Sequence, residues 1–200
     1  MSRIFLLRHA HSIANAKGVL AGRAPRVPLS KEGLAQRELL KERLVGAKFD
    51  QVISSPIQRC LETIEFFEPK PLIADEFQEV DYGDWTGRKT SSLARNKAWR
   101  QIYSHPASVR FPNGETLPEV QTRALLGLDL HAKSKAKNIL ISTHADVVKV
   151  LILHALGTHL NNIDKVQINN ASISVIEKSG NDFRVLRVND DNSLVKELLA

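Results

Sequence analysis

The stretch Ile4-Phe5-Leu6-Leu7-Arg8-His9-Ala10-His11-Ser12 decides the fold prediction, because a short apolar run passes directly into polar and charged side chains. Four apolar residues bounded in this way are typical of a buried strand. The residues from Arg8 to Ser12 then follow the carboxyl end of that strand. In open parallel sheets, ligands bind at the carboxyl ends of the strands. The stretch therefore predicts a buried strand and indicates where functional side chains should be sought.

The rest of the chain alternates short apolar runs with amphipathic segments. Further strands are predicted at residues 51–54, around 71–74 and at 138–142, and a closing hairpin at 172–177 and 183–188. Helices are predicted from 31 to about 48, from 56 to before Pro69, over 88–100, from 116 to about Lys133, and over 145–156. This alternation predicts an α/β fold, a three-layer sandwich whose mostly parallel sheet carries helices on both faces. Residues 1–200 are expected to form a single domain.

Local signals mark several helix ends. Ser30 is placed to cap the first long helix, and Ser55-Pro56 has the form of an N-cap followed by a first helical residue. Thr116 with Glu119 matches a capping box. Gly157 is placed to end the last long helix.

Composition narrows the class of protein. The 200 residues are 42% hydrophobic and 25% charged with a net charge of +6, which is ordinary for a globular protein. No basic run interleaved with aromatic residues indicates nucleic-acid binding. Cys60 is the only cysteine, so neither an internal disulfide nor a multi-cysteine metal site is available. The apolar run at 4–7 is too short for a signal peptide or membrane span. We therefore expect a soluble cytoplasmic protein without nucleic-acid or membrane partners.

Three predicted strand ends carry candidate functional side chains. Arg8 and His9 follow the first strand, Arg59 lies in the first turn of the helix after the second, and His144 follows the strand at 138–142. A parallel sheet brings these ends to one edge. Two arginines and two histidines would converge there without a carboxylate beside the arginines. Buried unpaired cations are costly, so such a site favours a dianion, and a phosphoryl group fits.

The chemistry of such a site can be assigned from the residue types. A neutral imidazole at His9 is a competent nucleophile. The arginines would hold the phosphoryl oxygens, and His144, if protonated, would add a third positive donor. A general acid must still protonate the leaving oxygen. The acidic segment at residues 76–84 offers these candidates: Glu76, Glu79, Asp81 and Asp84.

These motifs, taken in order, resemble the histidine phosphatase superfamily, whose fold is that of the phosphoglycerate mutases. The resemblance rests on Arg8-His9, on Arg59 within residues 54–59, on Glu79 before residues 81–87, and on His144. It implies a phosphohistidine at His9, proton donation by Glu79, and no metal or other cofactor. The phosphate-binding residues that it implies are Arg8, Asn15, Arg59 and His144.

The sequence departs from the family pattern at four positions. Ala10 and Ala145 stand where the family usually has glycine, and His11 stands where glutamate or glutamine is frequent. Val80 replaces the substrate-binding arginine that the mutases carry beside the acid. The segment 79–87 resembles the phosphatase branch, which favours hydrolysis over phosphoryl exchange.

Substrate specificity is less well indicated. We expect a small phosphorylated metabolite, with Gly22 either allowing close backbone approach to it or serving as a plain turn glycine. The segment 88–118 carries basic residues that would read a second anionic group or form a solvated face. These residues are Lys89, Arg95, Lys97, Arg100 and Arg110. The sequence does not determine the oligomeric state, and a homodimer is one of the states that it allows.

Three alternative functions stay open at this stage. A phosphoglycerate-type mutase would use the same residues. A dinuclear metallohydrolase would use His9, His11, His144 and Asp146 as ligands, although Arg8 beside the first pair opposes a bound cation. An inactive relative would act as a binding module. A cysteine phosphatase is excluded, because Phe66 stands where its phosphate-binding arginine would follow Cys60.

Overall fold

The computed structural model describes residues 1–132 and 136–198. Its strands are β1 (Ser2–Arg8), β2 (Gln51–Ser54), β3 (Leu72–Ile73), β4 (Asn138–Thr143), β5 (Ile173–Ser179) and β6 (Asp182–Asp190). Its α-helices are α1 (Ile13–Ala16), α2 (Lys31–Arg43), α3 (Gln58–Thr63), α4 (Thr90–Leu93), α5 (Lys97–Ser104), α6 (Leu117–Ala132), α7 (Ala145–Ala155) and α8 (Val195–Leu198). Within these residues, no helix has the length and apolar character needed to cross a bilayer.

The strands form one mixed sheet in the order β3-β2-β4-β1-β5-β6. The first four run parallel, β5 pairs antiparallel with β1, and β6 pairs antiparallel with β5. The predicted strands and the closing hairpin are thus confirmed, as is the mostly parallel sheet.

The side chains of β1 show why both faces of the sheet are covered. Successive side chains of a strand point to opposite faces. Ile4 and Leu6 pack in the larger core cluster with residues of α6 and α7. Phe5 and Leu7 pack in a second cluster with residues of α2 and α8. All four are fully buried, so the predicted three-layer sandwich is confirmed.

Several predicted helix boundaries are wrong. α3 begins at Gln58 rather than Pro56, because Ile57 keeps an extended backbone. α2 ends at Arg43, and Gly46 with a φ of +79° lies in the turn that follows. The predicted helix over 88–100 is two short helices, α4 and α5, and the side chain of Asn96 caps α5.

Other boundaries agree with the sequence. Thr116 and Glu119 form the predicted capping box before α6, with hydrogen bonds of 2.8 and 3.2 Å between backbone N–H groups and side-chain oxygens. Lys133, the predicted end of this helix, lies outside the described residues. Gly157 follows α7 with a φ of +62°, as expected of a helix stop.

Candidate active site

The carboxyl ends of three parallel strands meet at one edge of the sheet, as predicted. The His9 N–H donates to the Thr143 carbonyl at 2.9 Å, and the Ser55 N–H donates to the Ser142 carbonyl at 2.9 Å. A cavity of about 220 Å³ opens beside these strand ends. Of the predicted site residues, the following line it: Arg8, His9, Asn15, Gly22, Arg59 and Glu79. His144 is fully buried beside them.

The hydrogen bonds of His9 define its tautomer. Nδ1 lies 2.7 Å from the Ala10 carbonyl oxygen, which only accepts, so Nδ1 carries the proton. Arg59 Nε donates to His9 Nε2 at 3.1 Å, so Nε2 keeps its lone pair. Burial, and then the neighbouring Arg59 and Arg8 guanidinium groups, hold the pKa of His9 well below its ordinary value. His9 is therefore a neutral imidazole whose unprotonated Nε2 accepts from Arg59.

The hydrogen bonds of His144 show that it too is neutral. Arg59 Nη2 donates to its Nδ1 at 3.0 Å, and its Nε2 lies 2.9 Å from Ser55 Oγ. Burial, and then Arg59, lower the pKa of His144 well below its ordinary value. In this arrangement His144 therefore accepts from Arg59 and is not the third positive donor that protonation would supply.

The two arginines each keep one buried donor free. Arg8 Nη1 donates to the Ile168 carbonyl at 2.6 Å, and Arg59 Nη2 donates to the Gly22 carbonyl at 2.9 Å. Arg8 Nε and Arg59 Nη1, however, are buried without a hydrogen-bond partner among the described residues. Burial lowers the pKa of Arg8, although the Glu79 carboxylate opposes this effect. Unsatisfied buried donors are costly, so these groups favour an anionic ligand.

Glu79 is the carboxyl group best placed to exchange a proton at this cavity. Its Oε1 accepts from the Val80 N–H at 3.0 Å, and its Oε2 lies 3.9 Å from Arg59 Nη2 and 3.7 Å from His144 Nδ1. Burial, and then the Asp146 carboxylate, raise the pKa of Glu79 to about 7. A group with that pKa exchanges protons readily near neutral pH.

The competing acids of the same segment face other partners. Asp81 Oδ1 accepts from the Gly83 N–H at 2.9 Å, and Asp84 Oδ2 accepts from Asn113 at 3.0 Å. Neither these two residues nor Glu76 lines the described cavity. Of the four acidic residues predicted as candidates, the structure places Glu79 alone at the cavity.

Asn15 and Gly22 also reach the cavity. Asn15 Oδ1 accepts from the Ser12 N–H at 2.9 Å, which closes a capping box at α1. Its amide nitrogen donates to no other described residue. Gly22 has a φ of +50°, and an added Cβ would lie 2.8 Å from Thr86 Oγ1. Its carbonyl holds Arg59, so Gly22 positions an arginine as well as lining the cavity.

The four departures from the family pattern have different surroundings. Ala10 is fully buried beside Leu29 and Ala171, whereas Ala145 lines the cavity. Val80 is fully buried in the larger core cluster. His11 faces away from the cavity: its Nδ1 lies 2.8 Å from Ser30 Oγ.

The structure does not assemble the ligand set of the alternative metallohydrolase. His11 Nδ1 lies 3.6 Å from Glu32 Oε2 and is not among the residues that line the cavity. Within the described ranges, no group of three or more His, Cys, Asp and Glu side chains is arranged to hold a metal ion.

Cys60 lies beneath the site as a structural thiol. Its Sγ is 3.4 Å from His144 Nε2, and burial raises the pKa of the thiol to about 12. A thiol with such a pKa is not a nucleophile at neutral pH.

Sequence reasoning missed several lining residues. The loop 18–21, Tyr82 and Thr90 line the cavity. Asp146, expected at the rim of the site or as a ligand in the alternative metallohydrolase, lines it too. The Tyr82 hydroxyl donates to Asp146 Oδ2 at 2.7 Å. A signal was available for Asp146, which lies in the first turn of α7, two residues after His144.

The basic residues predicted to set specificity do not line this cavity. Lys89, Arg95 and Arg100 are exposed. Arg110 forms an ion pair with Glu119 on the surface. The side chain of Lys97 lies outside the described part of the structure. Of the two roles predicted for these basic residues, the described side chains support a solvated face and not the binding of a second anionic group.

Comparisons with known proteins agree with this geometry. The chain is 28% identical to phosphoserine phosphatase 1 of Hydrogenobacter thermophilus over 196 residues, covering 94% of this chain and 92% of the relative. It is 29% identical to the adenosylcobalamin/alpha-ribazole phosphatase of Salmonella typhimurium over 163 residues, covering 77% and 79%. Among solved structures, Bacillus stearothermophilus YhfR superposes with a TM-score of 0.87 at 25% identity, covering 95% of this chain and 98% of that one. The sequence profile of the Histidine phosphatase superfamily (branch 1) matches residues 4–191, and the chain belongs to this superfamily.

Proposed function

We propose that the chain is a metal-independent phosphomonoesterase that transfers the phosphoryl group through His9. The observation that carries this proposal is the state of His9. Its Nε2 is unprotonated and accepts from Arg59 Nε, and the cavity that His9 lines is also lined by Arg8 and Arg59, whose Nε and Nη1 groups have no hydrogen-bond partner among the described residues. A neutral nucleophile therefore lies beside two fixed cations.

These cations match the charge of a phosphate monoester. Phosphoryl transfer spreads negative charge over three equatorial oxygens, and fixed donors stabilise this charge most effectively where water is excluded. Arg8 and Arg59 would bind two of the oxygens. The amide nitrogen of Asn15 is proposed as a further phosphate contact. His144, which accepts from Arg59 and faces Ser55, would act on the phosphate through the arginine that it holds in place. Guanidinium groups here take the electrostatic role that a divalent metal has in other phosphatases.

The reaction would proceed in two steps. In the first, His9 Nε2 forms a bond to phosphorus, the bond to the ester oxygen breaks, and Glu79 gives its proton to that oxygen. In the second, water attacks the phosphohistidine while the Glu79 carboxylate takes a proton from the water. Inorganic phosphate then leaves, and His9 and protonated Glu79 are restored. The pKa of about 7 suits Glu79 to both roles.

The experiment that tests the proposal combines a chelator, a variant and a covalent trap. Hydrolysis of p-nitrophenyl phosphate should survive exhaustive treatment with EDTA and should be abolished by His9→Ala. A quenched turnover should trap phosphate on the protein that is labile to acid and stable to base. His11→Ala is the matched control, because this neighbouring histidine faces Ser30 instead of the cavity, and it should retain most of the activity.

Two outcomes would contradict the proposal. Activity that is lost in EDTA and restored by zinc or manganese would support the metallohydrolase instead. Full activity of His9→Ala, with no trapped phosphate on the wild-type protein, would remove His9 as the nucleophile.

A further inference from the structure

A second cavity of about 160 Å³ adjoins the phosphate cavity. Leu20, Tyr82 and Asp146 line both cavities and form the boundary between them. The two cavities therefore share part of their walls, and a molecule whose phosphate lies beside His9 lies next to the second cavity. We call the second space the side cavity.

The walls of the side cavity are mostly apolar. Beyond the shared boundary it is lined by Trp99 and Ile102 of α5, by Phe111, and by Leu117 and Ile163. Aromatic contacts fix part of this wall: the Phe111 ring lies 4.9 Å from that of Tyr82, edge to face, and the Trp99 ring lies 5.4 Å from that of Trp85. An apolar wall held in place by such contacts favours an apolar ligand.

The polar groups of the side cavity lie mainly on α7 and the segment after it. Lys149 Nζ is 3.7 Å from Asp146 Oδ1, and Asp164 lies at the same cavity. Asp146 is thus already engaged by Lys149 and by the Tyr82 hydroxyl. Because Lys149 is paired with Asp146, no unpaired cation among the described residues that line the side cavity calls for a second anionic group.

We infer that the side cavity binds an apolar ring of the substrate's leaving group. The inference rests on the proposed function and names its substrate class: phosphate monoesters of alcohols that carry a six-membered ring on a short linker. A dry apolar cavity of about 150 Å³ accepts a benzene molecule, so the volume of the side cavity suits one such ring. With the phosphate beside His9 and the ring beside Trp99, the ester bond would lie between the two cavities.

The substrates 3-phenylpropyl phosphate and propyl phosphate test this inference. Their leaving alcohols have nearly equal basicity, so they differ mainly in the ring. Burial of the ring should raise kcat/KM for the phenylpropyl ester by about tenfold to hundredfold. Ile102→Trp would fill the side cavity and should remove this preference, with kcat/KM for propyl phosphate within about twofold of wild type. Gln101→Trp is the matched control, because Gln101 is an exposed neighbour on α5, and it should keep the preference.

A binding measurement makes the test independent of turnover. In His9→Ala, 3-phenylpropyl phosphate should change the fluorescence of Trp99 on binding, and the change should be lost when Trp99→Phe is added. This second readout also serves if Ile102→Trp does not fold.

The outcomes separate the two proposals. Equal kcat/KM for the two esters in the wild type, together with no fluorescence change, would overturn the side-cavity assignment while leaving the phosphatase proposal intact. An equal loss on both esters in Ile102→Trp would overturn the assignment as well. If neither ester is hydrolysed but the Trp99 fluorescence still changes with the phenylpropyl ester, the side cavity binds the ring and the proposed function fails.

Discussion

The hydroxyl oxygen of Ser55 lies 2.9 Å from Nε2 of His144, on the side of the ring opposite to Arg59. Arg59 can only donate, so Nδ1 of His144 must accept, and the single ring proton is on Nε2. Ser55 is therefore the acceptor that holds His144 in this tautomer. The hydrogen bond between Ser55 and His144 also fixes the orientation of the His144 ring, whose Nδ1 accepts from Arg59 Nη2.

We expect Ser55→Ala to weaken both folding and catalysis. It leaves the buried Nε2–H with only the weak acceptor Cys60 Sγ at 3.4 Å, which should lower the free energy of unfolding by about 1–3 kcal/mol. The less fixed His144 and Arg59 should lower kcat on p-nitrophenyl phosphate by about tenfold to hundredfold, as loss of a supporting hydrogen bond does in metal sites. Chemical denaturation and steady-state kinetics measure the two effects.

Ser54→Ala is the matched control for this prediction. Ser54 is equally buried, but its hydroxyl donates to the Ser55 carbonyl at 2.8 Å and does not contact His144. It should lose some stability and keep its kcat. A Ser55→Ala enzyme that loses stability yet turns over at the wild-type rate would show that the hydroxyl has only a structural role.

Glu79→Gln should separate substrates by the basicity of their leaving group. The substitution keeps the size of the side chain and removes the proton. Hydrolysis of an alkyl phosphate should fall by about a hundredfold to ten-thousandfold, because an alkoxide leaves poorly without a proton. Hydrolysis of p-nitrophenyl phosphate should fall much less, because nitrophenolate leaves readily. Equal losses in kcat/KM on both substrates would mean that Glu79 only positions other groups.

The pH dependence of the wild type and of Asp146→Asn provides a further prediction. With a pKa of about 7, Glu79 holds its proton below neutral pH and loses it above, so kcat/KM for an alkyl phosphate should fall as the pH rises through about 7. The Asp146 carboxylate raises this pKa, so Asp146→Asn should move the falling limb to lower pH.

The control for the pH prediction is Asp84→Asn, which removes an equal charge from the exposed end of the acidic segment. It should leave the falling limb in place. A limb that moves to higher pH in Asp146→Asn, or that is equally present with p-nitrophenyl phosphate, would contradict the assignment to Glu79.

The parts of this structure that follow from local sequence were predictable. The alternation of Ile4, Phe5, Leu6 and Leu7 between two core clusters follows from the pleat of a strand. The convergence of His9, Arg59 and His144 follows from the edge that parallel strands share. Fold class and the central cluster therefore needed only periodicity, strand direction and the resemblance of four short motifs.

The parts that depend on distant segments were not predictable. The cavity-lining loop is held by backbone pairs of Leu20 with Gly87 and Arg88, at 2.8 and 2.9 Å. The role of Ser55 depends on a partner 89 residues away. Ile57 keeps an extended backbone where a local signal favoured helix, so α3 begins late. No local pattern encodes contacts of this kind.

Val80 argues against a mutase activity, in which the phosphoryl group would be moved from one position of glycerate to another. The resemblance places a substrate-binding arginine at this position in the mutases. Here Val80 is fully buried in the core, and its N–H donates to Glu79 Oε1 at 3.0 Å. Its side chain therefore supports the fold around the acid and offers no charge to a substrate carboxylate.

Offered 3-phosphoglycerate with a bisphosphorylated primer, the enzyme should release inorganic phosphate or remain inactive, and 2-phosphoglycerate should not accumulate. Phosphorus NMR follows all three species in one sample. Val80→Arg should not create a mutase, because an unpaired cation at this buried position would destabilise the fold by several kcal/mol. Val80→Ile, which keeps the apolar contact, is its control and should retain hydrolysis. Efficient formation of 2-phosphoglycerate by the wild type would mean that another residue binds the carboxylate, and the assignment to hydrolysis would then fail.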